Sequence, residues 1–163
     1  MWSREPSRRR ALAAVAVLLL GACGFTPVYG PQGGASALFG QVRAADPRTQ
    51  DDFAFMQRIQ DRLGPEGSRY ELSYRLTLAV APQAITQEQV TTRYSLNGTA
   101  SFRLVEAASG AVVAQGRVSN FTSYSTVGTT ISTTAGERDA RQRLATMLAD
   151  QVVTRLLAAA PTP

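Results

Sequence analysis

The stretch YELSYRLTLAV, Tyr70 to Val80, decides the fold. Tyr70, Leu72, Tyr74, Leu76, Leu78 and Val80 take every second position, and Glu71, Ser73, Arg75, Thr77 and Ala79 fall between them. Successive side chains of an extended chain point to opposite faces, so this alternation predicts a half-buried strand, stopped at Pro82. A second run over about 90–105 repeats the pattern. Tyr94, Leu96, Gly98, Ala100, Phe102 and Leu104 form its apolar face, and Arg93, Ser95, Asn97, Thr99, Ser101 and Arg103 the polar one. Asn97-Gly98 is also a hairpin signal. The alternation passes through the pair without a change of phase, which favours one long strand with Gly98 at a bulge or a close approach. Ala107-Ala108-Ser109-Gly110 makes a better turn, and a third strand follows at about 111–124, with Gln115 and Arg117 on one face. Three sequential runs with short turns predict an antiparallel meander.

Helical spacing flanks these strands. Residues 50–63 place Phe55, Met56, Ile59 and Leu63 on one side, with Asp51-Asp52 as an N-terminal cap and Gly64-Pro65 as the stop. Ahead of them, Leu38–Ala44 reads as a short strand broken by Asp46-Pro47. Residues 125–134, STVGTTISTT, read as a loop or a fraying strand end. A last helix over about 137–159 aligns Ala140, Leu144, Met147, Leu148, Val152 and Leu156, with Arg138, Arg141, Arg143 and Asp150 on its other sides. The expected class is α+β, with two helices packed on one face of a small, mostly antiparallel sheet. The length of 163 residues suits one such domain. Tyr70, Tyr74 and Tyr94 are expected to pack in or beside the core.

The N-terminus has a different character. Arg4, Arg8, Arg9 and Arg10 precede an unbroken apolar run, ALAAVAVLLL at 11–20. Ten helical residues reach about 15 Å, half a bilayer core, so the run describes a secretory signal rather than a membrane span. Leu20-Gly21-Ala22-Cys23 then resembles the lipobox of bacterial lipoproteins, with small residues where the peptidase cuts. The resemblance implies a diacylglyceryl group on the Cys23 thiol, cleavage before it, and acylation of the new amine, palmitate being the usual kind of chain. Two or three such chains hold a protein on a membrane, whereas one holds it marginally. Gly24 in place of Asp implies sorting to the outer membrane. The organisation read here is a signal peptide over 1–22, a lipidated Gly/Pro-rich tether over 23–36 and a domain over 37–163.

Composition narrows the chemistry. The chain has no His and one Cys, so the Cys/His metal clusters and the Ser-His-Asp triad have no members here. No paired acids form a motif for carboxylate catalysis, and no Gly-rich phosphate loop follows a strand. No catalytic residue, no metal ligand and no cofactor beyond the covalent lipid on Cys23 is expected. The formal charge is +5, but past residue 22 thirteen Arg face eleven acidic residues, a net of +2. The basic excess belongs mostly to targeting, and no nucleic-acid partner is indicated. Every basic residue is Arg, which suits bidentate phosphate binding and equally reflects codon usage. Asn97-Gly98-Thr99 and Asn120-Phe121-Thr122 match glycosylation sequons by coincidence.

Four stretches together resemble a known family. CGFTPVYG at 23–30, TTRYSLNGTASFRLV at 91–105, FTSYSTVGTT at 121–130 and ERDARQRLATMLADQVVTRL at 137–156 look like the alphaproteobacterial form of the LptE family of lipopolysaccharide-assembly lipoproteins. The resemblance rests on the order and spacing of stretches that are each unspecific, spread over nearly the whole chain past residue 22. It implies a non-enzymatic protein, lipid-anchored on the periplasmic side of the outer membrane. Such a protein plugs the β-barrel LptD, assists its assembly and helps to deliver lipopolysaccharide to the outer leaflet. Some members bind lipopolysaccharide directly. A periplasm-facing binding module, or an accessory subunit of another envelope complex, remains the alternative.

Candidate contacts follow from the strands. Alternation puts Arg75, Arg93 and Arg103 on the polar sheet face, and Arg117 joins them if the register allows. Such a row could pair with lipid A phosphates or with carboxylates of a barrel lumen; a solvated face with ordinary charge balance is the plainer reading, and Glu71 lies on the same face. No family motif fixes these arginines residue by residue. In loop 125–134, Val127 and Ile131 could meet a barrel wall, or the loop could be a simple exposed connection.

Overall fold

The computed structural model describes residues 34–85 and 91–160. The elements run α1 (Gly34–Leu38), β1 (Val42–Ala44), α2 (Gln50–Leu63), β2 (Tyr70–Ile85), β3 (Thr91–Glu106), β4 (Val112–Ser125) and α3 (Thr130–Ala159). The four strands form one sheet in the order β1-β2-β3-β4. β2, β3 and β4 are the expected antiparallel meander, and β1 adds a short parallel edge to β2. The long α2 and α3 lie on one face of the sheet, and the class is α+β.

Register carries the alternation into three dimensions. Tyr74 pairs with Phe102 and Phe102 with Gly116, so the inward rows of the three long strands coincide. Leu72, Leu96, Ala100 and Leu104 are buried against Leu144, Leu148, Val152 and Leu156 of α3. Each fully buried leucine contributes about 1.5–3 kcal/mol relative to exposure. β3 runs through Asn97-Gly98 without a turn, and Gly98 is a site of close approach. A Cβ placed there would lie 2.9 Å from both Leu144 Cδ2 and Leu148 Cδ1.

Capping explains α2. The Thr49 hydroxyl accepts from Asp52 N–H at 3.1 Å, and the Asp52 carboxylate accepts from Thr49 N–H at 3.1 Å. This reciprocal box satisfies two otherwise unpaired donors and places acidic charge at the helix N-terminus. Asp52 thus supplies one half of the cap read from Asp51-Asp52, and Thr49 supplies the other. Phe55, Ile59 and Leu63 are its buried face.

Four boundaries differ from the expectations. Residues 34–36, read as part of an extended tether, begin α1, whose five residues are too few to show a period. Only Val42–Ala44 of the candidate strand 38–44 is extended, because Leu38 closes α1 and is buried there. β2 continues past Pro82 to Ile85, with a register shift after Pro82. Tyr70 N–H bonds Gln41 O, and Leu72 O accepts from Ala45 N–H, so even-numbered β2 residues turn their backbone groups away from β3. Pro82 belongs to that set and removes no ladder bond. Finally, residues 130–134 of the expected loop are helical, and α3 starts at Thr130. Thr129 caps it by accepting from Ser132 N–H at 3.2 Å.

Candidate functional site

Among the described residues the helices cover one sheet face and no layer covers the other. On that open face the strand register fixes which side chains are neighbours. Arg75 lies opposite Ser101 on one side and Arg117 lies opposite Ser101 on the other. In the next row, Arg103 lies between Ser73 and Gln115. Strand spacing of about 4.8 Å puts the Arg75 and Arg117 backbones about 10 Å apart, with Arg103 about 7 Å along β3 from Ser101. Three long guanidinium side chains thus start from one small triangle. Arg117 Nε donates to Ser101 Oγ at 3.3 Å, which leans it toward the middle of the sheet.

Charge distinguishes this triangle from the helix layer. Asp150 holds Arg58 Nε at 3.0 Å and Arg62 Nη1 at 3.1 Å, tying α3 to α2. The hydrogen bond to Asp150 keeps the Arg58 guanidinium above its ordinary pKa, outweighing burial. Arg141 meets Glu137 at 3.0 Å and Asp51 at 3.3 Å. No carboxylate among the described residues lies within 4.0 Å of Arg75, Arg103 or Arg117. Glu71 shares the open face, but it faces Arg43 of β1 and Val105, one row beyond Arg103. An unpaired, forked cation is suited to a phosphate or carboxylate oxygen pair.

Arg93 is on the same open face but apart from the triangle. It lies ten positions before Arg103 on β3, about 33 Å of extended chain, opposite Ser125 of β4. The row of four expected from alternation is therefore a group of three plus one distant residue. Val127 and Ile131 stand out into solvent, 72% and 83% exposed, beside the start of α3. Cys23 lies outside the described residues. Arg155, on α3, drew no notice in the sequence. It lines a groove with Arg117 that only the helix-on-sheet packing creates.

Among the described residues no polar or charged residue is fully buried. Among the described residues no three His, Cys, Asp or Glu side chains gather to hold a metal ion. Tyr74 is the strongly shifted group. Burial, then the charges of Asp52 and Asp46, push its hydroxyl up to about 12. Its ring packs on Phe55 at 4.7 Å and its buried oxygen has no hydrogen-bond partner among the described residues. It is a packing residue between α2 and the sheet, as is Tyr70, whereas Tyr94 stacks on Tyr124 at 5.7 Å nearer the α3 start.

Solved structures share this architecture. A lipoprotein from Caulobacter crescentus CB15 superposes with a TM-score of 0.60 at 20% identity, over 77% of this chain and 93% of that one. A minor lipoprotein from Acinetobacter baumannii gives 0.56 at 16% identity, over 77% and 96%. The rare lipoprotein B from Shewanella oneidensis gives 0.55 at 10% identity, over 72% and 92%. At these identities the likeness is one of fold. No curated protein sequence matches the chain. The LptE family, described as lipopolysaccharide-assembly, matches residues 41–156, from the start of β1 almost to the end of α3. The matched span contains the four strands, α2, most of α3 and the arginine triangle, and the chain belongs to the LptE family of lipopolysaccharide-assembly proteins.

Proposed function

We propose that this chain is an outer-membrane lipoprotein subunit of the lipopolysaccharide translocon. In this reading it is anchored through acyl chains on Cys23, faces the periplasm, plugs the β-barrel LptD during and after its assembly, and helps to pass lipopolysaccharide to the outer leaflet. Family membership over 41–156 carries the reading. The lipobox-like Leu20-Gly21-Ala22-Cys23 supports the anchor, and lipoproteins among the structures of like fold agree with it. Among the described residues no helix is long and apolar enough to cross a membrane.

Arg75, Arg103 and Arg117 are the proposed contacts for lipid A phosphates. Their triangle gathers three guanidinium side chains on one small patch, has no carboxylate within 4.0 Å among the described residues and sits on the face opposite the helices. Arg93 is a candidate contact at a separate point of that face, for the barrel or for a more distant part of the same ligand. The open face holds groups that bind and orient an anion, and no step of bond making is assigned to it.

Co-purification from detergent-solubilised outer membrane tests the reading. A stoichiometric β-barrel partner is expected. Recovery of this protein with a different envelope complex, and no barrel, would instead make it an accessory subunit elsewhere.

A further inference from the structure

Among the described residues β4 is an edge strand with no neighbour on its far side. Phe121 N–H is taken by Asn120 Oδ1 at 2.8 Å rather than by β3. Backbone groups alternate in an antiparallel ladder, so the odd-numbered residues of β4 turn both N–H and C=O to the open edge. Gln115, Arg117 and Ser119 belong to that set, and all three are exposed. Such an edge invites a further strand unless it is blunted by proline, charge or a covering element. The open part of β2 carries Pro82 on its free side. β4 has no proline, and Arg117 is its only charge.

A groove runs beside this edge, between β4 and the second half of α3. Phe102, Val113, Ala114 and Ala158 give it an apolar floor. Gly116 keeps that floor low, since a Cβ there would come within 3.2 Å of the Phe102 ring. Arg155 lines both halves from α3, Arg117 borders both from the edge strand with its guanidinium on the open face of the sheet, and neither has a carboxylate within 4.0 Å among the described residues. Asp150 lines the groove too, but its charge is already engaged by Arg58 and Arg62.

We propose that β4 accepts an extended, acidic segment of another polypeptide as a fifth strand. Its backbone pairs with Gln115 to Ser119, and carboxylates on its two faces meet Arg155 on the α3 side and Arg117 on the open side. Backbone pairing supplies the general attraction and the two guanidinium groups select for acid. Charge decides against the other occupants. β4 contains no Asp or Glu, so a second copy pairing through its own β4 brings arginine near arginine. Residues 24–33 contain no acid either. The inference stands apart from the barrel reading: failure to co-purify a barrel leaves it open to its own test.

That test places benzoylphenylalanine at position 115 of the full chain in living cells and irradiates. The expected result is one protein adduct whose cross-linked peptide contains Asp or Glu. Ser119→Pro lowers the adduct at least tenfold while leaving the melting temperature unchanged, because Ser119 N–H is outside the β3 ladder. Arg117→Glu combined with Arg155→Glu lowers it similarly, and both sites are surface positions that keep the fold should the proline variant lose it. Four results would each overturn the proposal: no adduct, an adduct only to lipid or to a second copy of this chain, a cross-linked peptide free of acid, or an adduct indifferent to both sets of substitutions.

Discussion

Gly98→Ala tests the closest approach of helix to sheet. The added methyl would sit 2.9 Å from Leu144 Cδ2 and 2.9 Å from Leu148 Cδ1, both in fully buried side chains. Overpacking of this kind costs about 1–3 kcal/mol. Replacing a strand glycine returns about 0.5–1 kcal/mol by reducing the freedom of the unfolded chain. The net expectation is a loss of about 1 kcal/mol. Leu148→Ala alone opens a cavity and costs about 3 kcal/mol. Combined, the new methyl gains room on the Leu148 side while still meeting Leu144. The double variant is therefore expected to lose about 3 kcal/mol rather than the sum of about 4, a coupling of about 1 kcal/mol. Urea unfolding followed by far-ultraviolet circular dichroism measures all four corners of the cycle. Additivity within about 0.5 kcal/mol would show that Gly98 does not set the distance between α3 and β3, and would refute the reasoning.

Other perturbations separate the parts of the molecule. Arg75→Glu with Arg103→Glu should weaken binding to lipopolysaccharide vesicles at least tenfold and leave any barrel association intact; equal binding would remove the triangle from the proposed contact. Arg93→Glu, distant on the same face, should have a smaller effect on vesicle binding. Tyr74 has a folded pKa of about 12 against an ordinary 10.0, because burial disfavours its phenolate. Its contribution is present below pH 10 and is lost between about 10 and 12, so Tyr74→Phe should flatten the alkaline fall in stability over that window. The same variant removes a buried hydroxyl without a partner and should raise stability by about 1 kcal/mol at neutral pH. Asp150→Ala unties α3 from α2 and should cost about 1 kcal/mol at low salt, with a smaller loss in 1 M salt, as half-exposed pairs are screened. Mass spectrometry of the mature N-terminus should find acyl chains on Cys23, and an unmodified cysteine there would refute the anchor.

The long elements were legible because each buries one face over many residues. Tyr70 to Val80 and Tyr94 to Leu104 keep a period of two for five or more positions, and that period is what sheet burial imposes. The span of α2 was readable, but its cap was read at Asp51-Asp52, whereas Thr49 is the N-cap and Asp52 its partner. β1 was not fully readable, because three residues cannot display a period and its parallel pairing depends on where α2 returns the chain. The first two turns of α3 were hidden by a Thr- and Ser-rich composition that disfavours helix locally. They form where Thr129 caps the end by accepting from Ser132 N–H. Arg75, Arg93 and Arg103 could be assigned to a face from parity alone. Their grouping needed the register, which joins Arg117 to Arg75 through Ser101 and leaves Arg93 behind. Arg155 needed the tertiary fold, since nothing in its helix announces a groove against another element.

β1 also sets a mechanical order. Any tension applied through residues 1–33 enters the domain at α1 and β1. β1 is held to β2 by three paired residues, with Tyr70 N–H bonded to Gln41 O and Ala45 N–H to Leu72 O. The long strands are clamped to one another along more than a dozen pairs. Under load the short parallel strand peels first and pays out slack, while the meander and α3 stay folded. A pull on the N-terminal end would thus be absorbed at the entry of the chain before it could disturb the arginine-bearing face.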